Sequence, residues 1–380
     1  MIRVRAAVLR RTGAPLSIET ITLGPLAPGD VLVRVRAAGL CHTDLEAIEG
    51  QFALPLPAVL GHEAAGEIAA LGAGVSGLAC GDRVVLSWNP HCGTCFYCEQ
   101  GQPILCSQAL GNAALGFHFD GAPRLFCDAG TVPPRPVHQL MYLGAFAEYC
   151  VVPAHCAVRI PPGLGFDQAA LIGCGVMTGV GAATRIADLR WGASAMVIGC
   201  GAVGLSAVQG CRLAGAGHIL AVDPRPARRA LAARLGATAT ADPAAAIAEA
   251  RAATAGRGAD VVIEAAGVPA GFALSVEAVR PGGQVVWLGK TAVDAQVPFR
   301  WGSLMQEKRI TRSSYGGARP ARDFPLLAQA ALDGRLDLAA MISARIGLDA
   351  IDDGFAALKR GETVRSVVMF DDAPAGKVRG

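Results

Sequence analysis

The most constraining feature of this chain is a glycine-rich segment between a short apolar run and a helix-like stretch. Residues 195–198 are apolar, residues 199–204 read G-x-G-x-x-G, and an alanine-rich stretch continues to Ala214. A second apolar run at 219–222 follows and ends at Asp223. A strand, a tight glycine turn, a helix and a second strand in this order predict the first crossover unit of a parallel sheet.

The same alternation continues after Asp223. Residues 225–235 have a helical pattern that stops at Gly236, and short apolar runs follow at 261–263 and 285–288. Strands that alternate with helices at this spacing predict a parallel sheet covered on both faces. The middle of the chain is therefore predicted to be α/β, with a doubly wound sheet of the Rossmann type.

The parts before and after this region have other patterns. Up to about residue 175 the chain is rich in short strands and turns, as in the alternating residues 31–36. Beyond about 315 we predict helices near 324–332 and 351–359 and a final strand at 366–370. Residues 371–380 are predicted to be a frayed tail.

Composition excludes several classes of protein. Hydrophobic residues make up 52% of the 380 residues and charged residues 17%, which argues for two domains with apolar cores and against disorder. The net charge of +3 is spread along the chain, so neither nucleic-acid binding nor a membrane-binding patch is expected. The apolar stretch at 193–207 contains three glycines, and we predict no membrane span there.

The cysteine count bears on the compartment. The chain has 12 cysteines, and its N-terminus alternates like a strand instead of resembling a signal peptide. Without a signal peptide, metal ligation explains many cysteines better than disulfides do. A reducing, cytoplasmic location is therefore expected.

The glycine-rich segment has the features of a dinucleotide-binding loop. Gly199 permits a tight turn, Gly201 lets the backbone approach a pyrophosphate, and Gly204 lets the helix pack closely on the strand. Asp223, 19 residues beyond Gly204, would bind the adenosine ribose hydroxyls and repel a phosphate there, which favours NAD over NADP. Arginines that follow Asp223 weaken this preference. The alternative is a glycine turn with a purely structural role.

Four cysteines form a second local motif. Cys92, Cys95, Cys98 and Cys106 have the spacing C-x2-C-x2-C-x7-C in a loop-like region. Four thiolates so close together suit tetrahedral zinc, and a site with no open position would be structural. An iron–sulfur cluster and a nucleic-acid zinc finger are alternatives, although the segment lacks the flanking basic residues of the latter.

Three further residues gain meaning only as part of an ordered series of motifs. In chain order the series is G-x-C-H-T-D around Cys41, G-H-E around His62, the four-cysteine loop, G-C-G around Cys174 with Thr178, and the glycine-rich loop with Asp223. This order resembles the zinc-dependent alcohol dehydrogenases of the medium-chain dehydrogenase/reductase family. The resemblance covers nearly the whole chain.

The resemblance implies a domain plan and two zinc ions per chain. A β-rich GroES-like catalytic domain with both zinc sites would occupy 1–175, a Rossmann NAD-binding domain 176–315, and 316–380 would return to the catalytic domain. Cys41, His62 and Cys174 would bind the catalytic zinc, which leaves a fourth position for water or substrate. Cys92, Cys95, Cys98 and Cys106 would bind the structural zinc.

The resemblance also implies roles for the neighbours of these ligands. Zinc would act as a Lewis acid on an alcohol that gives hydride to the nicotinamide, with Thr43 taking the alcohol proton. Asp44 would orient the zinc-bound histidine and Glu63 would lie behind the metal, although both could be buried carboxylates with only structural roles. In many relatives a histidine ends the proton relay, and here Glu46 takes its place. We predict that Glu46 is not essential.

Cofactor and substrate contacts follow from the same resemblance. It predicts pyrophosphate contacts for His42 and Arg365, a ribose contact for Arg228, and contacts behind the nicotinamide for Thr178 and Val203. The predicted walls of the substrate pocket are Trp88, Tyr142 and Leu143, which suit a primary, apolar alcohol. Surface charges or ordinary core packing are the alternatives for these residues.

The loop at 107–142 resembles the longer, dimeric branch of the family, which includes glutathione-dependent formaldehyde dehydrogenases. A homodimer is therefore expected. Acidic residues near the pocket mouth of that enzyme are replaced here by Phe52 and Leu54, so an apolar alcohol or aldehyde is expected instead of a glutathione adduct.

Two other functions remain open. One is a zinc-independent quinone or enoyl reductase on the same fold, although such relatives lack the cysteine and histidine ligands. The other is a non-enzymatic zinc or redox-sensing module built on the cysteine loop, against which the intact dinucleotide motif counts.

Overall fold

The computed structural model describes residues 2–110, 118, 120–127, 134–292 and 294–370. The predicted tail at 371–380 lies outside this range. The chain forms two compact units. The first unit comprises Met1–Cys174, Arg319–Gly334 and Met341–Gly380, and the second comprises Gly175–Ala318 and Arg335–Ala340. The short segment 335–340 thus lies in the second unit, within the region that the resemblance puts in the first domain.

The described residues contain eighteen strands and eleven α-helices. The strands are β1 (Ile2–Leu9), β2 (Ser17–Leu23), β3 (Asp30–Gly39), β4 (Ala58–Val59), β5 (Ala64–Leu71), β6 (Arg83–Leu86), β7 (Leu125–Cys127), β8 (Arg135–Gln139), β9 (Tyr149–Pro153), β10 (Ala157–Arg159), β11 (Ser194–Ile198), β12 (His218–Val222), β13 (Ala239–Ala241), β14 (Ala259–Glu264), β15 (Val279–Trp287), β16 (Arg309–Arg312), β17 (Ile342–Ile346) and β18 (Arg365–Met369). The helices are α1 (His42–Glu49), α2 (Phe96–Glu99), α3 (Ser107–Leu110), α4 (Phe166–Leu171), α5 (Met177–Gly181), α6 (Ala202–Leu213), α7 (Pro226–Arg234), α8 (Ala246–Ala252), α9 (Pro269–Ala278), α10 (Pro320–Leu332) and α11 (Ile351–Lys359).

The first unit is built mainly from strands. A closed barrel has the order β1-β2-β7-β8-β4, and a second sheet has the order β10-β6-β5-β3-β18-β17, with β9 paired to β3. Strand β3 is central because it pairs with β5, β9 and β18, and most of its residues are buried. The predicted β-rich first part of the chain is confirmed.

Helix α11 closes the core of the first unit. Ile351, Phe355 and Leu358 are spaced so that they share one face of the helix, and all three are buried. The ring of Phe355 packs edge-to-face on Phe146 at a centroid distance of 5.9 Å. The last strand, β18, then enters the sheet beside β3, and this brings Arg365 at its start into the interior.

The second unit is the predicted α/β domain. Its six strands are all parallel and have the order β13-β12-β11-β14-β15-β16, in which the direction of strand addition reverses between β11 and β14. Parallel strands connected by helices bring their carboxyl ends to one edge of the sheet. Gly199, Asp223 and Glu264 follow or end β11, β12 and β14 and therefore lie at this edge.

One helical run has the composition of a membrane span. Residues Phe166–Ile186 are long and apolar enough to cross a bilayer, but 72% of the most apolar window is buried inside the protein. The apolar stretch at 193–207 instead divides into strand β11, the glycine loop and the start of α6. Burial of this kind is typical of a core helix.

Candidate functional site

Three predicted ligands from distant parts of the sequence meet in the first unit. Cys41 is the residue before α1, His62 lies between β4 and β5, and Cys174 lies in a wide helical turn after α4. Their ligand atoms all lie within 4.8 Å of one another, and Cys174 Sγ is 3.5 Å from His62 Nε2. Cys41 and His62 are buried and Cys174 is half-buried, so this cluster is fixed by the core.

Asp44 supports the cluster through atoms of the ligand residues that do not themselves face the metal position. Its Oδ1 lies 3.1 Å from His62 Nδ1 and also accepts a hydrogen bond from the backbone N–H of Gly61, while its Oδ2 accepts one from the N–H of Cys41. One carboxylate in the first turn of α1 thereby fixes two of the three ligands. Because Nδ1 of His62 is used by Asp44, Nε2 is the nitrogen left for a metal.

The charges around the cluster favour the thiolate form of Cys41 and, before a metal binds, the protonated form of His62. The hydrogen bond from Cys174 and the positive charges of Arg365 and His62 hold the pKa of Cys41 well below its ordinary value against the effect of burial. Burial alone would lower the pKa of His62, but Asp44 and Cys41 outweigh it and raise that pKa. A thiolate is the form of cysteine that binds metal.

Behind the cluster, Arg365 forms a buried ion pair with Glu63. Arg365 Nε is 3.1 Å from Glu63 Oε1, and the two side chains are 3% and 0% exposed. Arg365 Nη1 also donates a 2.6 Å hydrogen bond to the carbonyl of Leu40, the residue before Cys41. The arginine that was predicted to bind pyrophosphate therefore contacts Glu63 and the backbone beside a candidate ligand.

This donor set fits zinc. Two sulfurs and one imidazole nitrogen are ligands that zinc prefers, and three protein ligands leave one tetrahedral position for a small molecule. The histidine is oriented by a carboxylate, as is usual for metal-bound imidazoles. The arrangement therefore fits a zinc site with one open position.

We expect the Asp44→Asn substitution to weaken zinc binding at this cluster by about 10–100-fold, because the amide no longer orients His62 as the carboxylate does. Zinc release to a competing chelator measures the change. Asp349→Asn, which alters an exposed ion pair with Arg5, is the control. Equal zinc retention in both variants would show that Asp44 has only a structural role.

The four-cysteine loop forms a second cluster in the first unit. The sulfurs of Cys92, Cys95, Cys98 and Cys106 all lie within 4.8 Å of one another. Cys95 Sγ and Cys98 Sγ are 3.6 Å apart, close to the separation of about 3.8 Å expected when both bind one zinc tetrahedrally. Hydrogen bonds from the backbone at Cys98 and Ser107 lower the pKa of Cys95 to about 5. The geometry fits one tetrahedral ion with no open position.

In the second unit, the glycine loop has the shape of a dinucleotide site. Gly199 has φ +87°, and a Cβ on Gly204 would lie 1.7 Å from the carbonyl oxygen of Gly199. The space beside Gly201, at the N-terminus of α6, is open, since a Cβ there would meet nothing within 4 Å. A side chain at this position would fill that space. This space suits a phosphate group, which helix N-termini stabilise.

Asp223 lies against the same loop. Its Oδ2 accepts a 2.8 Å hydrogen bond from the N–H of Cys200, and its Oδ1 accepts one from the N–H of Arg225. Arg228 Nη1 lies 3.5 Å from the carbonyl of Cys200. Asp223 and Arg228, both predicted to bind the adenosine ribose, thus come together beside the glycine loop.

The remaining predicted cofactor residues lie on several elements. Thr178 is on α5 and Val203 on α6, and these helices pack so closely that a Cβ on Gly179 would lie 2.2 Å from the Val203 carbonyl. His42 is exposed at the start of α1. Thr43 and Glu46 are half-buried on the same helix.

The predicted pocket residues have unequal surroundings. Tyr142 is 1% exposed and donates a hydrogen bond to the carbonyl of Ala109, and Leu143 is 0% exposed. Both lie in the core of the first unit, and their contact with substrate stays a prediction. Trp88 is half-buried against the core of the first unit and is the most exposed of the three.

Sequence reasoning did not single out Glu264. It is 0% exposed at the end of β14, and its side chain accepts hydrogen bonds from two backbone N–H groups at the sheet edge that carries the glycine loop. The available signal was an acidic residue directly after the apolar run 261–263. Asp223 has the same placement after its own strand.

Comparison with known proteins gives a consistent result. Residues 27–162 match the family model "Alcohol dehydrogenase GroES-like domain", and residues 202–332 match "Zinc-binding dehydrogenase". A geraniol dehydrogenase from Castellaniella defragrans is 36% identical over 97% of this chain and 98% of its own length. An S-(hydroxymethyl)glutathione dehydrogenase from Paracoccus denitrificans is 32% identical over 97% and 100%.

Solved structures agree with these relatives. An alcohol dehydrogenase zinc-binding domain protein from Burkholderia ambifaria superimposes with a TM-score of 0.93 at 34% identity, over 97% of this chain and 99% of its own. A benzyl alcohol dehydrogenase from Acinetobacter calcoaceticus gives 0.91 at 28% identity, over 98% and 100%. The predicted combination of a GroES-like and a Rossmann domain is confirmed.

Proposed function

Because this chain belongs to the zinc-binding alcohol dehydrogenases of the medium-chain dehydrogenase/reductase family, we propose that it oxidises a primary, apolar alcohol to the aldehyde with NAD and zinc. It also catalyses the reverse reduction. The observation that carries the proposal is the three-ligand cluster of Cys41, His62 and Cys174, which leaves one position open. We assign the catalytic domain to 1–175 and 316–380 and the NAD-binding domain to 176–315.

The chain's own residues would share the catalytic work. Zinc, when bound by Cys41, His62 and Cys174, supplies a Lewis acid that makes the alcohol proton easier to remove. Thr43, two residues after Cys41, would accept that proton through its hydroxyl while it releases its own hydroxyl proton to solvent. Asp44 keeps His62 in the orientation that metal binding requires.

The buried ion pair behind the cluster affects the stability of the thiolate charges. The Glu63–Arg365 pair places one positive and one negative group beside the thiolates. The arginine stabilises thiolate charge, and the carboxylate keeps the arginine in place. This support is electrostatic and needs no movement during the reaction.

The glycine loop and its neighbours support a nicotinamide dinucleotide as the hydride acceptor. Gly199, Gly201 and Gly204 leave room for the pyrophosphate at the N-terminus of α6, and Asp223 favours NAD by repelling a phosphate on the ribose. His42, Thr178, Val203, Arg228 and Arg365 are the further cofactor contacts that we propose. Of these, Arg365 would contact the cofactor from its ion pair with Glu63.

Apolar side chains support the substrate class. Trp88, Phe52 and Leu54 are half-buried on the core of the first unit, and none of them could pair with a charged substrate. Relatives are named for geraniol and for benzyl alcohol, which are both primary and apolar. Other relatives are named for a glutathione adduct, so that substrate is the second candidate.

The assembly and location are also proposals. We propose two zinc ions per chain, a homodimer and a cytoplasmic location. The location follows from the interpretation of the clustered cysteines as metal ligands instead of disulfides.

A substrate panel tests the proposed function. With purified protein, reduction of the cofactor should be fastest with benzylic and long aliphatic primary alcohols, slower with secondary alcohols, and slower with NADP than with NAD. Absorbance at the NADH band measures the rates. A glutathione–formaldehyde adduct as the best substrate would show that Phe52 and Leu54 do not disfavour a charged substrate.

We expect Glu46→Gln to change turnover at neutral pH by less than about threefold, because Thr43 and solvent suffice to remove the alcohol proton. Steady-state kinetics across the pH range measure the effect, with Glu49→Gln on the exposed end of the same helix as the control. A large fall in turnover for Glu46→Gln alone would place that carboxylate in the proton relay.

A further inference from the structure

Glu264 ends β14 with its carboxylate inside the second unit. The residue is 0% exposed. Its Oε1 accepts hydrogen bonds of 2.8 Å from the backbone N–H groups of both Ala266 and Gly267. Its own carbonyl accepts hydrogen bonds from the N–H groups of Leu288 and Gly289, which directly follow β15. One residue therefore connects the loops after two neighbouring strands.

Glycines leave just enough room for this carboxylate. A Cβ on Gly289 would lie 2.4 Å from Glu264 Oε2, and a Cβ on Gly271 would lie 2.6 Å from Oε1. Oε2 has no hydrogen-bond partner among the described residues. Burial raises the pKa of Glu264, against the backbone N–H groups and Arg312, which lower it. A buried carboxylate with an unused oxygen is costly, and such costs are commonly found at functional sites.

The position of Glu264 in the sheet indicates which part of a dinucleotide it would serve. Dinucleotides bind across the point at which the strand order reverses, here between β11 and β14. Asp223, after β12, marks the adenosine half of the site. The loops after β14 and β15 lie on the other side of β11 and therefore face the nicotinamide half.

The loops at this edge are also in direct contact with the glycine loop. The N–H of Ala265 donates a 2.8 Å hydrogen bond to the carbonyl of Ile198, the last residue of β11. A Cβ on Gly199 would lie 2.8 Å from the N of Ala266. Displacing the 265–267 loop would therefore disturb the space on the nicotinamide side of the glycine loop.

From these contacts we propose that Glu264 is a positioning residue that holds the loops after β14 and β15 in the shape that binds the nicotinamide half of the cofactor. The proposal rests on the proposed NAD-dependent function. Glu264 touches neither substrate nor cofactor itself. Its carboxylate holds the N–H groups of Ala266 and Gly267, and Gly289 of the loop after β15 packs closely against Gly267 and Oε2. Its replacement should therefore affect binding of the whole cofactor but not of the adenosine half alone.

The test compares two ligands on the full-length protein. For Glu264→Leu, which removes the acceptor oxygens at similar volume, we expect the Kd of NADH to rise about tenfold or more, while the Kd of ADP-ribose stays within about twofold. Calorimetry or NADH fluorescence measures both without turnover. Glu264→Gln keeps one acceptor oxygen and should restore most of the NADH affinity.

Two further variants make the result decisive. Asp260→Asn alters an acid at the opposite end of the same strand, where it binds Ser194 and Arg280, and should leave both affinities unchanged. Gly271→Ala presses on Oε1, the oxygen that accepts the two backbone N–H groups, and should reproduce the selective loss if Glu264→Leu fails to fold. Equal losses for both ligands, or no loss for either, would overturn the role of Glu264. A wild-type protein that binds neither ligand would instead contradict the proposed function.

Discussion

Replacing Cys174 by alanine is expected to lower kcat/KM by about 10³-fold or more, because the Lewis acid contributes several kcal/mol to the transition state and each 1.4 kcal/mol is a factor of about ten. The remaining pair, Cys41 and His62, is too few ligands to hold zinc firmly in an open site. Zinc content should fall from about two ions per chain to about one. Metal analysis and steady-state kinetics on the same preparation measure both effects.

The control for this prediction is Cys150→Ala. Cys150 is 0% exposed in β9 and belongs to neither cluster, so its loss tests the cost of removing a buried sulfur alone. It should keep both zinc ions and most of the activity. If Cys174→Ala retained two zinc ions and near-normal activity, the open site would have to lie elsewhere, and a zinc-independent reductase would become the better hypothesis.

Replacing Cys95 by serine is expected to lower the melting temperature by about 10 °C, because structural zinc supplies folding free energy that the loop lacks by itself. The loop has little core of its own. Helix α2 is four residues long and has no buried residue, and Phe96 at its start is 70% exposed. Ion ligation is therefore the main interaction that can fix the four cysteines in place.

Calorimetry and limited proteolysis measure this effect. Proteases should cut within residues 92–106 in Cys95→Ser and not in the wild-type protein, since an unligated loop is open to them. Cys80→Ser replaces an exposed thiol outside both clusters and is the control. A variant with unchanged stability and one zinc ion fewer would show that the ion at this loop has no structural role.

Cys174→Ala and Cys95→Ser should differ in whether activity or stability is lost. Each loses one zinc ion, but Cys174→Ala should lose activity at nearly normal stability, whereas Cys95→Ser should lose stability first. A closed four-thiolate site has no position for substrate, and an open three-ligand site contributes less to folding. The same metal count with opposite functional results would therefore separate the catalytic from the structural role.

Features that depend on neighbouring residues could be predicted from the sequence alone. The turn and helix at 199–204 and the cysteines at 92–106 are local, since each motif is held within one loop or one strand–turn–helix unit. The parallel sheet followed from the alternation of apolar runs with helical stretches, and the structure confirms it. Short-range geometry is largely set by residue type and spacing.

Contacts between distant residues were decided by the tertiary structure. Cys41, His62 and Cys174 are 21 and 112 residues apart along the chain, and only the packing of α1, β5 and the turn after α4 brings their ligand atoms within 4.8 Å. The family resemblance anticipated this cluster, but no spacing rule predicts it. The burial of Tyr142 and Leu143 was likewise not visible in the sequence, because an apolar residue suits a pocket wall and a core equally well.

Buried charges show most clearly why the tertiary structure decides which residues meet. Arg365 and Glu63 are 302 positions apart, and nothing in the sequence pairs them. They can be buried only because the fold pairs them, since an isolated buried charge would be too costly. The carboxylate of Glu264 is bound locally, by the N–H groups of the residues two and three positions later. The N–H groups that bind its carbonyl come from the residues after β15, and they meet it only once β14 and β15 lie side by side. The sequence determined which residues could do the chemistry, and the tertiary structure decided which of them meet.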